Sequence, residues 1–262
     1  MLSPQQIVTR FNRAAATYDE VSALQRAMAD ALLDRFAKGT LENAQPDSEI
    51  HIADLGCGTG YLLDQLRQRG FNKLHGFDIA SDMLEAVRSG KSSDSVKLTE
   101  ADLQALPVAD QQFDVVFSNA AIQWCDSARA ANEIQRILRS GGRGFISTFG
   151  PQTLKQWRSV FESHGHASVH RFEPLAQLTA QFQEAGLKVN QIETRLVNQS
   201  FDNVKDMFGS IKKLGASNAA DSRKPISKSA YRSIQSAFQQ QLAREGILNL
   251  TFETISFEAV RL

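Results

Sequence analysis

Seven residues restrict this chain more than any others: Asp54-Leu55-Gly56-Cys57-Gly58-Thr59-Gly60. An apolar run at 50–55 leads into them, and a helical pattern over 60–69 follows. Glycine takes positive φ without a Cβ penalty, so this loop can turn sharply and bring its backbone close to a ligand. A strand that turns into a helix this way puts the loop at the carboxyl edge of a sheet, where open α/β folds bind ligands. Asp78 ends the next expected strand, where a carboxylate can accept hydrogen bonds from both hydroxyls of a ribose. The dinucleotide fingerprint needs Gly-x-Gly-x-x-Gly. Here the third glycine comes one residue early and Tyr61 follows, which argues against an NAD-dependent dehydrogenase. Asp54 would also repel a pyrophosphate. It suits a cation, such as the amino group or sulfonium of a methionine derivative.

Strands and helices alternate on both sides of this loop. Strands are expected at 50–55, 73–78, 95–99, 113–118 and 143–149, and helices at 60–69, 81–89, 127–138, 152–163 and 174–185. Short apolar runs such as Phe113-Asp114-Val115-Val116-Phe117 suit a parallel sheet covered on both faces. The alternation predicts a doubly wound α/β fold. Residues 1–20 read as a polar arm, and Val21, Leu24, Met28, Ala31, Leu32 and Phe36 predict a helix over 21–37 that stops at Gly39. Two last strands are expected at 188–197 and 250–260. The stretch between them, 198–249, is too long for a simple connection and has helical patterns at 202–214 and 227–245. It reads as a lid or binding element. Its basic residues are Lys205, Lys212, Lys213, Arg223, Lys224, Lys228, Arg232 and Arg244, against Asp202, Asp206, Asp221 and Glu245.

That local surplus stands out because 29 basic and 29 acidic residues cancel over the whole chain. Zero net charge gives no global pull toward nucleic acid or an anionic membrane. No apolar run reaches the length of a membrane span, and the N-terminus lacks the apolar core of a signal peptide. Two cysteines, Cys57 and Cys125, are too few for a disulfide framework or a zinc cluster. His164, His166 and His170 read as surface histidines with no cysteine or ligand motif around them, so no metal is expected. A soluble, cytoplasmic protein is expected, with no nucleic-acid or membrane partner.

The motifs together resemble the class I S-adenosylmethionine-dependent methyltransferases. Asp54 to Gly60 matches their first motif, and Gly76-Phe77-Asp78-Ile79 with Ser81-Asp82-Met83-Leu84 matches their second. Glu100-Ala101-Asp102-Leu103 resembles the third, Phe113 to Asn119 the fourth, and Leu138 to Arg143 the turn before the fifth strand. The resemblance implies a mostly parallel, seven-stranded Rossmann-like sheet whose last strand is antiparallel. It implies that Asp54, Gly56, Cys57, Gly58, Gly60, Asp78, Ile79, Met83, Asp102, Leu103, Asn119 and Ala120 bind S-adenosylmethionine and its product S-adenosylhomocysteine. Asp102 and the Leu103 N–H would meet the adenine, and Asn119 would lie beside the methyl group.

The flanks narrow the resemblance. Arg10 to Asp19, Leu24-Gln25, Ala121-Ile122-Gln123-Trp124 and Ile211 to Asn218 resemble the malonyl-[acyl-carrier protein] O-methyltransferases of biotin synthesis. That family esterifies the free carboxylate of a malonyl thioester, so that fatty-acid elongation enzymes accept the disguised chain. The resemblance implies that Tyr18 closes over the methionine end of the cofactor and that Gln123 and Trp124 line the pocket beside the methyl. It also implies that one cation among Lys212, Lys213, Arg223 and Lys224 holds the malonyl carboxylate. The partner is then an acyl carrier protein carrying a malonyl group, or malonyl-coenzyme A. The alternative is another small-molecule methyltransferase, acting on a quinone carbon or a different acid. The Asn/Asp-Pro-Pro-Tyr pattern of amide and adenine methylation is missing after Ser118, where Asn119-Ala120-Ala121-Ile122 stands instead. The expected layout is one methyltransferase domain over 1–262: an arm and helix at 1–45, a core at 46–197 plus 250–262, and a helical lid at 198–249.

Overall fold

The computed structural model describes residues 3–40, 49–90, 96–166, 171–213 and 226–262. Seven strands form one sheet: β1 (Ile52–Leu55), β2 (Leu74–Asp78), β3 (Val96–Glu100), β4 (Phe113–Asn119), β5 (Leu138–Phe149), β6 (Leu187–Phe201) and β7 (Leu248–Arg261). They lie in the order β3-β2-β1-β4-β5-β7-β6. The pairs β1–β2, β2–β3, β1–β4 and β4–β5 are parallel, and β7 runs antiparallel to both β5 and β6. This is the doubly wound, seven-stranded sheet that the sequence predicts. The chain leaves β1 toward β2 and β3 and then crosses back to β4. That reversal opens a crevice at the carboxyl ends of β1 and β4, where α/β sheets take ligands.

The helices are α1 (Pro4–Ala14), α2 (Ala23–Thr40), α3 (Tyr61–Gln68), α4 (Ser81–Ser89), α5 (Ser127–Ile137), α6 (Lys155–Ser163), α7 (Leu175–Glu184), α8 (Val204–Lys213) and α9 (Lys228–Glu245). The polar N-terminal arm is helical, because Ser3 and Gln6 form a reciprocal capping box and Pro4 opens the first turn. Two boundaries change. Helix α2 does not stop at Gly39 but runs on to Thr40. Strand β5 begins at Leu138 rather than 143, since Leu138 pairs with Phe113 and a bulge intervenes before Arg143 meets Val115. Pro46, His170, Gly215 to Asn218, Arg223 and Lys224 lie outside the described residues.

Apolar side chains fill both faces of the sheet. On one face Phe36 of α2 packs against Phe117 and Phe145, with ring centroids 5.5 and 5.6 Å away. Phe36 is fully buried, and truncating such a residue to alanine costs about 3–5 kcal/mol. On the other face Ile134 and Ile137 of α5 and Leu178 and Phe182 of α7 cover Phe77, Val116 and Phe257. A third cluster joins α6, α8 and α9 to the end of the sheet through Trp157, Phe161, Met207, Ile211, Ile234 and Phe238. Strand β6 forms one edge, with Ile192 and Leu196 about half exposed and a bulge at Asn190/Glu193 around Gln191, whose φ is 49°.

Strand β2 also buries a titratable group. The His75 ring stacks on Phe77 with centroids 3.9 Å apart, and its Nε2 lies 2.8 Å from the Thr99 hydroxyl. Burial, helped by the charge of Lys97, holds its pKa down to about 4. Between there and the ordinary value near 6.5 the unfolded chain binds a proton that the folded chain refuses. The stability linked to His75 is therefore complete above about pH 6.5 and is lost as pH falls toward 4. The gap in melting temperature between the wild type and His75→Asn should narrow on acidification from about pH 7 to about pH 4.5. A gap that stays constant would show that the imidazole is not buried neutral.

Candidate active site

The glycine loop is pinned from two directions. The Gly56 and Cys57 N–H groups donate to the Phe77 carbonyl at 2.8 and 2.9 Å. The Gly58 N–H donates to Asp78 Oδ2 at 2.9 Å, and the Ala80 N–H donates to Asp78 Oδ1 at 2.9 Å. Gly56 sits at φ +74°, and a Cβ there would lie 2.4 Å from the Ala121 Cβ. Gly58 sits at φ +52° with nothing within 4 Å of its missing Cβ. The first glycine thus lets two loops meet, while the second leaves an open cradle. Gly60 caps α3 from a left-handed conformation.

A cleft of about 700 Å³ opens over this cradle. Gly56, Gly58, Asp78, Ile79, Met83, Asp102, Leu103, Asn119, Ala120, Tyr18 and Trp124 all line it. A smaller depression of about 430 Å³ adjoins it, sharing Tyr18, Gly56, Gly58 and Asn119 and adding Asp54 and Cys57. The structure thus brings together every expected cofactor residue except Gly60, which stands behind the loop. Gln123 is seated differently from its neighbour Trp124. It lies in a separate depression, where its Nε2 donates to the Ala120 carbonyl at 2.7 Å and its Oε1 accepts from Thr148 at 3.0 Å. It braces the loop after β4 instead of facing the cleft. Lys212 is exposed on α8 and lines none of these spaces, and the Lys213 side chain is outside the described residues.

Several lining residues have no counterpart in the sequence expectations. Pro4, Ile7 and Phe11 of α1 roof the cleft, and the Phe11 ring meets Trp124 edge-on at 5.6 Å. The roof is tied down by Asn12 Oδ1, which accepts from the Asp82 N–H, and by Asp19, which accepts from the Thr59 hydroxyl at 2.7 Å. Its signal was legible, since Ser3-x-x-Gln6 caps a helix whose Ile7 and Phe11 share one face. At the floor, Ala120 holds φ +52°, a left-handed conformation that non-glycine residues adopt at a cost of about 1–3 kcal/mol. Its N–H donates to the Ser147 carbonyl, and the Ser147 hydroxyl donates to Asn119 Oδ1 at 2.6 Å.

Burial dominates the electrostatics. Asp54 is 2% exposed, and its pKa is pushed up to about 8 by burial first and by the charge of Asp78 second. Asp78 is also raised by burial, against the pull of its backbone N–H donors. The Tyr18 hydroxyl is pushed up to about 12 by burial and by Asp78 and Asp19, so it remains a proton donor at neutral pH. Burial raises both the Cys57 and Cys125 thiols. A buried carboxylate beside a second carboxylate fits a cationic ligand. Among the described residues no group of three or more His, Cys, Asp or Glu could hold a metal ion.

An acid-lined, glycine-cradled cleft at the sheet's reversal point defines the class of S-adenosylmethionine-dependent methyltransferases. Residues 53–146 match the family model described as a methyltransferase domain. The YcgJ protein of Bacillus subtilis has the same fold, with a TM-score of 0.61 and 15% identity over 87% of this chain and 98% of that one. Among curated proteins, the malonyl-[acyl-carrier protein] O-methyltransferase of Methylovorus sp. (strain MP688) is 30% identical over 97% of this chain and 88% of its own. The protein of that name from Halorhodospira halophila is 35% identical over 81% of this chain and 72% of its own. The chain belongs to the malonyl-[acyl-carrier protein] O-methyltransferase family.

The raised Asp54 carboxyl has a testable cost. Its folded pKa lies above the unfolded value, so ligand-free stability is lost as pH rises from about 4 toward 8. Ligand-free Asp54→Asn should therefore melt above the wild type, with an advantage that grows with pH and levels off beyond about 8. The same variant should bind S-adenosylmethionine at least about tenfold more weakly, by calorimetry. A variant that binds normally would remove Asp54 from the site.

Proposed function

We propose that this protein transfers a methyl group from S-adenosylmethionine to the free carboxylate of a malonyl thioester, giving the malonyl methyl ester that starts biotin synthesis. The observation that carries the reading is the likeness to malonyl-[acyl-carrier protein] O-methyltransferases over 97% of the chain, arm and insertion included. The donor, when bound, supplies an electrophilic methyl on a positively charged sulfur. Asp78 would hold the ribose, Asp102 and Leu103 the adenine, and Asp54 the positive charge. A malonyl carboxylate is already an anion at neutral pH, so the reaction calls for no general base. The residues of the cleft agree: Tyr18 keeps its proton at neutral pH, so it can donate a hydrogen bond but is not a base. Buried thiols are poor nucleophiles, because the thiolate is the reactive form. Cys57 and Cys125 can therefore flank the methyl without competing for it.

What remains for the protein is positioning and the exclusion of water. Asn119 is fixed at the floor by its Oδ1 bond from Ser147 and its Nδ2 bond to the Gln25 carbonyl at 2.9 Å. Pro4, Ile7 and Phe11 supply an apolar roof, which strips water from the incoming carboxylate. We place the carrier-protein docking face on α8 and α9, where Lys205, Lys228 and Arg232 are exposed. Acyl carrier proteins are acidic, and a basic patch speeds the encounter of such partners. No described helix is long and apolar enough to cross a membrane; we place the enzyme in the cytoplasm.

Incubation with labelled S-adenosylmethionine and malonyl-carrier protein should add one labelled methyl to the carrier, read by intact mass. A carrier that stays unmodified while another acid is methylated would redirect the assignment. Exposed rim charges are individually worth under about 1 kcal/mol. Reversing Lys205, Lys228 and Arg232 together to Glu should raise the KM for malonyl-carrier protein many-fold at low salt and leave malonyl-coenzyme A unaffected. Unchanged carrier kinetics would move the docking face elsewhere.

A further inference from the structure

Two neighbouring residues at the start of α2 have atoms that the fold buries and leaves unsatisfied. Arg26 Nε is a donor without an acceptor, and Gln25 Oε1 is an acceptor without a donor. Native proteins rarely leave such atoms unpaired, since each costs about as much as a lost hydrogen bond. Both residues line the smaller depression, together with Asp54, Thr59 and Asn119. Among the described residues the other buried orphans belong to Arg35, Trp157 and Arg158, which line neither part of the cleft. The depression therefore offers a lone donor on a permanent cation, a lone acceptor, and the buried Asp54 carboxyl, which pairs with no cation among the described residues. That set is the complement of a zwitterion.

We propose that Arg26 and Gln25 hold the amino-acid head of the methyl donor, Arg26 at its α-carboxylate and Gln25, together with Asp54, at its α-ammonium. The inference rests on the cofactor reading of the cleft. Both side chains are held in place without using the orphaned atoms. One terminal nitrogen of Arg26 pairs with Asp19 at 3.1 Å, and its guanidinium lies 5.2 Å from the centre of the Tyr61 ring. Gln25 is anchored through its main-chain carbonyl, which accepts from Asn119 Nδ2. A guanidinium presents its donors in one plane, which suits a carboxylate better than an ammonium does.

Calorimetry on the full chain with two ligands tests this. S-adenosylhomocysteine carries the amino-acid head, and 5′-methylthioadenosine lacks it. Arg26→Gln and Gln25→Leu should each weaken S-adenosylhomocysteine binding about tenfold or more and leave methylthioadenosine within about twofold. Normal methylthioadenosine binding also shows that each variant is folded. Decarboxylated S-adenosylmethionine, which keeps the ammonium, separates the two ends: Gln25→Leu should weaken it, whereas Arg26→Gln should not. Arg26→Lys, which keeps the charge and loses the planar donors, should fall between the wild type and Arg26→Gln on S-adenosylhomocysteine. Equal losses on both ligands, or no loss on S-adenosylhomocysteine, would overturn the proposal. A wild type that binds neither ligand would instead overturn the cofactor reading beneath it.

Discussion

Two carboxylates at the ends of neighbouring parallel strands set the terms for the rest of this molecule. Asp54 and Asp78 are both raised by burial, and Asp78 adds its negative charge to the burden on Asp54. The fold sustains this arrangement because Asp78 is held by the Gly58 and Ala80 N–H groups. Asp78 therefore shapes the glycine loop as well as facing the cleft. Around it, the aromatic stack of Phe36, Phe117 and Phe145 keeps the strand ends in register. Burial and its acidic neighbour favour the protonated form of Asp54 in the ligand-free state, and an arriving cation favours release of that proton.

The strands and the loop were legible because their signals are local. Apolar runs bounded by turns mark β1, β2 and β4, and three glycines within five residues mark the cradle. All twelve expected cofactor residues lie in or directly behind the cleft for the same reason, since the topology places the carboxyl ends of the parallel strands β1 to β4 at one edge. What was not legible depends on side-chain direction or on distant packing. Gln123 and Trp124 are adjacent in sequence, yet a short 3₁₀ turn points one into the brace and the other into the cleft. Ala120 gives no sign in sequence of its left-handed backbone, which three surrounding hydrogen bonds impose. Lys212 carried the right charge for an anion, but α8 buries Met207 and Ile211 and leaves Lys212 on its outer side.

The roof shows how a short polar segment acquires a role. Helix α1 has few apolar residues, and only Ile7 among them is fully buried. An isolated helix of its length is marginal in water, so it relies on the capping box and on contacts with α4 and the cleft. An element held by so little opens at small cost, and it covers the one place that must both admit a ligand and then keep water out.

The outer edge of β6 has a different consequence. A strand of 15 residues at the margin of a sheet is a ready template for other chains, the more so with Ile192 and Leu196 exposed along it. The turn of the backbone at Gln191 divides that template into pieces of four and nine residues, so a foreign strand cannot zip along its full length. The kink that disturbs pairing with β7 thereby also shortens the continuous edge that another chain could join.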